Sequence, residues 1–149
     1  MKMKDIFNTK DFKYRALITI TPDESALAAI KKLAENDRGS IPVCTDEGTL
    51  VGIITERDIL RKCFSLSGDF VNKKIRDVMT EKVVVTVPDD NIDYAIEVMK
   101  QRRIRHIPVV DGQKVLGMIS MRDIMGFQYE ETKAEIRYAH LLPRKSKPW

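Results

Sequence analysis

The stretch "IPVCTDEGTLVGIITERDIL", residues 41–60, returns as "IPVVDGQKVLGMISMRDIM" at residues 107–125. Each version opens with Ile-Pro-Val, passes through a polar turn containing Gly48 or Gly112 into a second apolar run, and ends in Arg-Asp-Ile. Two short β-branched runs joined by a glycine-containing turn predict a hairpin. A hydroxyl at Thr55 or Ser120, with Asp58 or Asp123 three residues later, predicts a helix start directly after it. One hairpin-to-helix unit is therefore written twice.

The match extends upstream. Pro22 pairs with Pro88, Asp23 with Asp89 and Ile30 with Ile96 at an offset of 66, which becomes 65 for Gly52 with Gly117 and Arg57 with Arg122 after a one-residue deletion. Ahead of each hairpin, "ALITIT" (16–21) and "VVVTV" (83–87) read as strands. Apolar residues then recur at helical spacing, Ala26, Ala29, Ile30 and Leu33 in the first copy and Ile92, Ala95, Ile96 and Met99 in the second. Thr21, Pro22 and Glu24 suit the N-cap, first turn and capping box of the first of these helices, while Val87 stands at the matching cap position of the other.

The repeating unit is thus strand, helix, strand, strand, helix. A three-stranded sheet cannot bury both faces alone, so the expected fold is α/β (α+β): two pseudo-symmetric βαββα repeats packed sheet to sheet as one domain with terminal extensions. The expected boundaries are an N-terminal connector at 1–16, repeat one at 17–72, a linker helix at 73–82, repeat two at 83–129, and a C-terminal helix with a basic tail at 130–149. The linker "KKIRDVMTEK" echoes "MKMKDIF" at the chain start, so each repeat is expected to be introduced by a short helical connector.

Bulk composition fits this picture. With 149 residues and 43% hydrophobic content, one core of ordinary size is available. Cys44 and Cys63 form no C-x-x-C and no cluster with His106 or His140, which points to neither a disulfide framework nor a metal site. The charged N-terminal run has no apolar signal region, and no run approaches the roughly 18 apolar residues of a membrane span, so a soluble cytoplasmic protein is expected. A formal charge of +4 spreads over 26 basic and 22 acidic residues and favours anionic partners only mildly.

The Ile-Pro-Val strand, the apolar-x-Gly-apolar-apolar-[Ser/Thr]-x-x-Asp corner and their ordered duplication resemble the tandem cystathionine-β-synthase (CBS) domain pair, the Bateman module, over about residues 17–127. The resemblance implies a free-standing, non-catalytic regulatory module without a catalytic cofactor, which binds adenosine-containing ligands in clefts between the repeats. AMP, ADP or ATP are favoured; S-adenosylmethionine and NAD(H) are the other members of that class. It also implies a homodimer built from the helices after the two corners, and a regulated protein acted on in trans.

Residue by residue, the resemblance implies a first cleft of Ile53, Thr55, Asp58, Val87, Ile92, Ile104, Arg105 and His106, and a second of Thr21, Ala26, Arg38, Gly39, Ser40, Met118, Ser120 and Asp123. Asp58 and Asp123 stand where related modules hold ribose. The same residues also make ordinary helix caps, and both readings hold at once. In "RRIRHIPVVDG" (102–112), Arg102 and Arg103 fit a solvated last helical turn, whereas Arg105 and His106 match phosphate positions. On this reading the first cleft is richer in phosphate-binding groups, with His106 gaining charge as pH falls toward about 6.5. The competing reading is a nucleic-acid-binding or scaffold protein with a basic surface. A nucleotide hydrolase ranks third, for want of an evident general base.

Overall fold

The computed structural model describes residues 1–13, 15–66 and 69–132. The expected stripe through Ala134, Tyr138 and Leu141 and the basic tail lie outside the described residues. The N-terminal segment holds α1 (Met3–Phe7) and α2 (Lys10–Lys13). Repeat one holds α3 (Ala26–Glu35), β1 (Ser40–Cys44), β2 (Leu50–Thr55) and α4 (Glu56–Leu66). A 3-10 turn at Phe70–Asn72 and α5 (Ile75–Val78) lead to repeat two, with α6 (Ile92–Arg102), β3 (His106–Asp111), β4 (Lys114–Ser120) and α7 (Met121–Thr132).

Each hairpin is an antiparallel pair with matching ends, Ser40 opposite Thr55 and His106 opposite Ser120. Gly48 and Gly112 occupy the turns with φ of 87° and 60°, conformations that L side chains adopt at a cost. The two sheets touch at the turns, where Leu50 N donates to Gln113 O at 2.9 Å.

The expected leading strands shrink to single bridges. Ile20 pairs in parallel with Val43 and Thr86 with Val109, leaving two-stranded sheets. Ile20 N donates to Pro42 O at 3.2 Å and Cys44 N donates back to Ile20 O at 2.9 Å. The rung before it would need a donor at residue 42, and proline has none. Pro108 removes the corresponding rung beside Val84. The chain ahead of each bridge is therefore released from its sheet.

Helix α3 begins later than expected. Ser25, not Thr21, is its N-cap, accepting from Ala28 N at 3.1 Å, and Glu24 instead closes a separate turn by accepting from Thr21 N at 2.7 Å. Packing sets this start: Ile75 N donates to Glu24 O and Arg76 N to Pro22 O, so α5 holds the turn. In repeat two Asn91 caps α6, Asp90 accepts from Val87 N at 2.9 Å, and Met3 N and Lys4 N donate to Asp90 O and Pro88 O.

The connectors are thus exchanged between repeats. Met3, Ile6 and Phe12, which precede repeat one, are buried with Ile92, Ala95, Met99, Ile107 and Ile119 of repeat two. Phe70, Ile75 and Val78, which precede repeat two, are buried with Ile20, Ala29, Leu33, Ile41 and Ile54 of repeat one. Two hairpin glycines admit them. A Cβ on Gly52 would lie 2.5 Å from Met79 Sδ, and one on Gly117 would lie 2.7 Å from Phe7 Cε1.

Candidate functional site

Both corners are reciprocal caps. Asp58 N donates to Thr55 Oγ1 at 3.1 Å while Asp58 Oδ2 accepts from Thr55 N at 3.1 Å; Asp58 Oδ1 accepts from the Thr80 hydroxyl at 3.1 Å. Asp123 N donates to Ser120 Oγ at 3.1 Å, and Asp123 Oδ2 accepts from Ser120 N at 2.8 Å and from its hydroxyl at 2.9 Å. The capping reading of these residues is therefore correct as geometry. It leaves both carboxylates facing cavities.

The first cavity, about 390 Å³, is lined by six of its eight expected residues: Ile53, Thr55, Asp58, Ile104, Arg105 and His106. Val87 and Ile92 do not line it. Val87 is tied by its amide to Asp90, and Ile92 is buried in the core of repeat two. Val83 and Val84 take their place.

The second cavity, about 900 Å³, brings together Arg38, Gly39, Ser40, Met118, Ser120 and Asp123, but not Thr21, which holds Glu24, or Ala26, which is buried in the core of repeat one. Leu17 and Ile18 stand there instead. These four wall residues, Leu17 with Val83 and Ile18 with Val84, are related by the repeat offset of 66. The missing proline rungs turn them toward the cavities, so Pro42 and Pro108 were the sequence signal that would have identified them.

The opening of the second Ile-Pro-Val strand is set by a left-handed residue. Arg103 caps α6 with φ of 55°, and Asp37 takes φ of 50° at the matching point after α3. Each costs about 1 kcal/mol as a non-glycine residue in that region. At Arg103 the turn ends the helix, so that Ile104, Arg105 and His106 leave it toward β3. Arg57 supports the turn by donating from Nη1 to Arg103 O at 2.7 Å.

Arg105 and His106 line both cavities, together with Gly39 and Glu56. The imidazole lies against Gly39, where a Cβ would come within 2.7 Å of Nε2. Arg105 and His106, expected at the first cleft, thus also border the second. The second cavity also gains Lys13 and Arg15 from the N-terminal segment, whose expected role is that of a connector. Arg102 and Arg103, expected to be solvated only, are exposed and also line the first cavity.

Electrostatics sharpen the picture. Burial, followed by the neighbouring Arg105 charge, holds His106 below its ordinary pKa of 6.5, so it is neutral at pH 7 and charges only at more acidic pH than the sequence suggested. Burial pushes the Asp123 carboxyl up, but hydrogen bonds from Arg15 and Ser120 outweigh it and keep the group below the usual carboxylate value. Burial and then the Arg15 charge press the Arg38 guanidinium down. Arg38 Nε and Ser40 Oγ are buried without a hydrogen-bond partner among the described residues, both in residues of the second cavity wall. Such atoms carry a desolvation penalty that a polar ligand would remove.

The sequence model of the CBS domain matches residues 4–65 and 75–130. The chain belongs to the CBS-domain family. A relative from Arabidopsis thaliana, the mitochondrial CBS domain-containing protein CBSX3, is 32% identical over 121 residues, covering 78% of this chain and 59% of its own. The chain thus spans less than two thirds of that curated relative. The CBS-domain containing protein ATU1752 from Agrobacterium tumefaciens superposes with a TM-score of 0.78 at 28% identity, covering 86% of this chain and 99% of that one. The CBS domain pair of protein MJ0100, in complex with 5'-methylthioadenosine and S-adenosyl-L-methionine, superposes with a TM-score of 0.71 at 28% identity over 88% of this chain and 98% of its own. No helix among the described residues is long and apolar enough to cross a membrane.

Proposed function

We propose that this CBS pair is a non-catalytic regulatory module that binds AMP, ADP or ATP in the two cavities and passes its occupancy to a partner protein in trans, in the cytoplasm. The observation that carries the reading is the placement of two capped aspartates, Asp58 and Asp123, at cavities that share the cationic wall of Arg105. A carboxylate accepts both hydrogen bonds of a ribose diol, and guanidinium groups meet phosphate oxygens in pairs. The apolar side chains of Val83 and Val84, and of Leu17 and Ile18, suit the faces of an adenine. The MJ0100 complex supports the adenosine class. The excess of arginine and lysine around the cavities favours phosphates over the sulfonium of S-adenosylmethionine and makes NAD(H) a secondary candidate.

Thermal unfolding against AMP, ADP, ATP, S-adenosylmethionine, NADH and GTP tests the reading. A ligand at about 100 times its dissociation constant adds roughly 2.7 kcal/mol, which raises the melting temperature by several degrees. The adenine nucleotides are expected to produce this rise and GTP a smaller one. Flat responses across the panel, with salt-sensitive binding of generic RNA, would transfer the reading to a nucleic-acid scaffold.

We further infer that two copies pair through α4 and α7. On these two helices Ile124 is buried, and Ile59 and Phe127 pack against the cores of their own repeats. Leu60 and Met125 remain outside, each joined one helical turn later by another exposed side chain, Phe64 and Tyr129. Phe64 is 91% exposed, which is unusual for so large an apolar group unless another surface covers it. Light scattering at micromolar concentration is expected to give a dimeric mass, and Phe64→Glu a monomeric one. A monomeric parent removes the claim.

A further inference from the structure

The N-terminal segment lines the second cavity through Phe7, Phe12, Lys13, Arg15 and Ala16 and is held from both repeats. Arg15 Nη2 donates to Asp123 Oδ1 at 3.0 Å on the repeat-two side. The carbonyl of the next residue, Ala16, accepts from Arg38 Nη2 at 3.2 Å on the repeat-one side. The Arg15 guanidinium lies over the Phe12 ring at 4.6 Å from its centroid, and Phe12 meets Phe7 edge to face at 4.8 Å.

This arrangement occupies a position that a ligand needs. Asp123 Oδ2 already accepts from the Ser120 amide and hydroxyl, so Oδ1 is the oxygen left for a ribose, and Arg15 holds it. At the first cavity the matching oxygen, Asp58 Oδ1, is held only by the neutral Thr80 hydroxyl. A ribose hydroxyl reaching Asp123 Oδ1 therefore competes with a cation, whereas at Asp58 Oδ1 it competes with a hydroxyl.

A displaced Arg15 would stand beside Arg38 with its ion pair to Asp123 broken, in a partly buried site. A nucleoside offers it nothing in return. A phosphate restores a charge-assisted partner for Arg15 in a cavity whose lining also includes Arg38 and Arg105.

We propose that Arg15 is the specificity-determining residue of the second cavity: it leaves Asp123 for the ligand phosphate, so that this cavity accepts nucleotides and rejects nucleosides. The inference rests on the nucleotide-binding reading above and extends it to a segment outside both βαββα units.

The test is calorimetric titration of AMP and adenosine into the full chain carrying Asp58→Ala, which isolates the second cavity, with the unsubstituted chain as a two-site control. The Arg15-containing protein is expected to prefer AMP by about 100-fold or more, the worth of two charge-assisted contacts, one from Arg15 and one from Arg105. Arg15→Ala should lower that preference about tenfold, leaving the share that Arg105 supplies, partly because adenosine now binds more tightly, as the loss of a competing cation requires. Arg15→Gln, which keeps an amide donor for Asp123 and so protects folding, should also reduce the preference. If AMP and adenosine bind and the preference survives both substitutions, the role of Arg15 is overturned while the nucleotide reading stands. If the unsubstituted chain binds neither ligand, the nucleotide reading fails, and this inference fails with it.

Discussion

Arg105→Ala is expected to weaken AMP or ATP at both cavities, by about 1.5–3 kcal/mol each, or roughly 10- to 150-fold, for the loss of a charge-assisted phosphate contact. The double effect follows from its position on the wall common to the two cavities, just past the left-handed turn at Arg103. Because the side chain is exposed, added salt should move the loss toward the lower end of that range. Adenosine, lacking phosphate, should lose little. Arg102→Ala is the comparison: Arg102 lines the first cavity alone, so its smaller effect should be confined to one site. Two-site calorimetric titration reads both variants. A loss confined to one site in Arg105→Ala would separate the cavities and contradict the shared wall.

The largest stability effect is expected at Phe70. It lies in the 3-10 turn between the repeats, is 1% exposed, and packs in the core of repeat one with Ile41, Ile54 and Ile75. Truncation to alanine removes a large apolar group and leaves a cavity that the hairpin and α5 can fill only in part. Phe70→Ala should therefore cost about 3–5 kcal/mol, lowering the melting temperature by on the order of 10 °C. Its half-exposed neighbour Val71 should tolerate alanine within about 0.5 kcal/mol. Equilibrium urea unfolding measures both. Equal losses for the two would mean that the turn is not anchored through Phe70.

Periodicity does not single out Phe70, because it lies in a short Phe-Val pair flanked by Asp69 and Asn72 with no helical or strand spacing around it. Its burial comes from where the connector runs. The same limit applies to the wall residues. Val87, Ile92, Thr21 and Ala26 belong to the clefts that the family resemblance implies, but the residues released ahead of the single rungs at Ile20 and Thr86, namely Leu17, Ile18, Val83 and Val84, line the cavities instead. The prolines that cause this were visible; their consequence depended on which strand lay beside them.

What could be read directly was whatever depends on neighbours in the chain. The duplicated Ile-Pro-Val hairpins, the glycine turns, the apolar stripes of α3 and α6 and the Thr55–Asp58 and Ser120–Asp123 caps all follow from spacings of two to four residues, which fix side-chain direction in strands and helices. The exchange of connectors does not. Residues 1–13 and 70–79 are both short, charged and punctuated by apolar side chains, and either could in principle serve either repeat. Their assignment is made by contacts between segments distant in sequence: Phe7 against Gly117, Met79 against Gly52, and Arg15 on Asp123 across 108 positions. Such contacts depend on shape and charge complementarity formed only once both repeats are folded, and no periodicity along the chain encodes them.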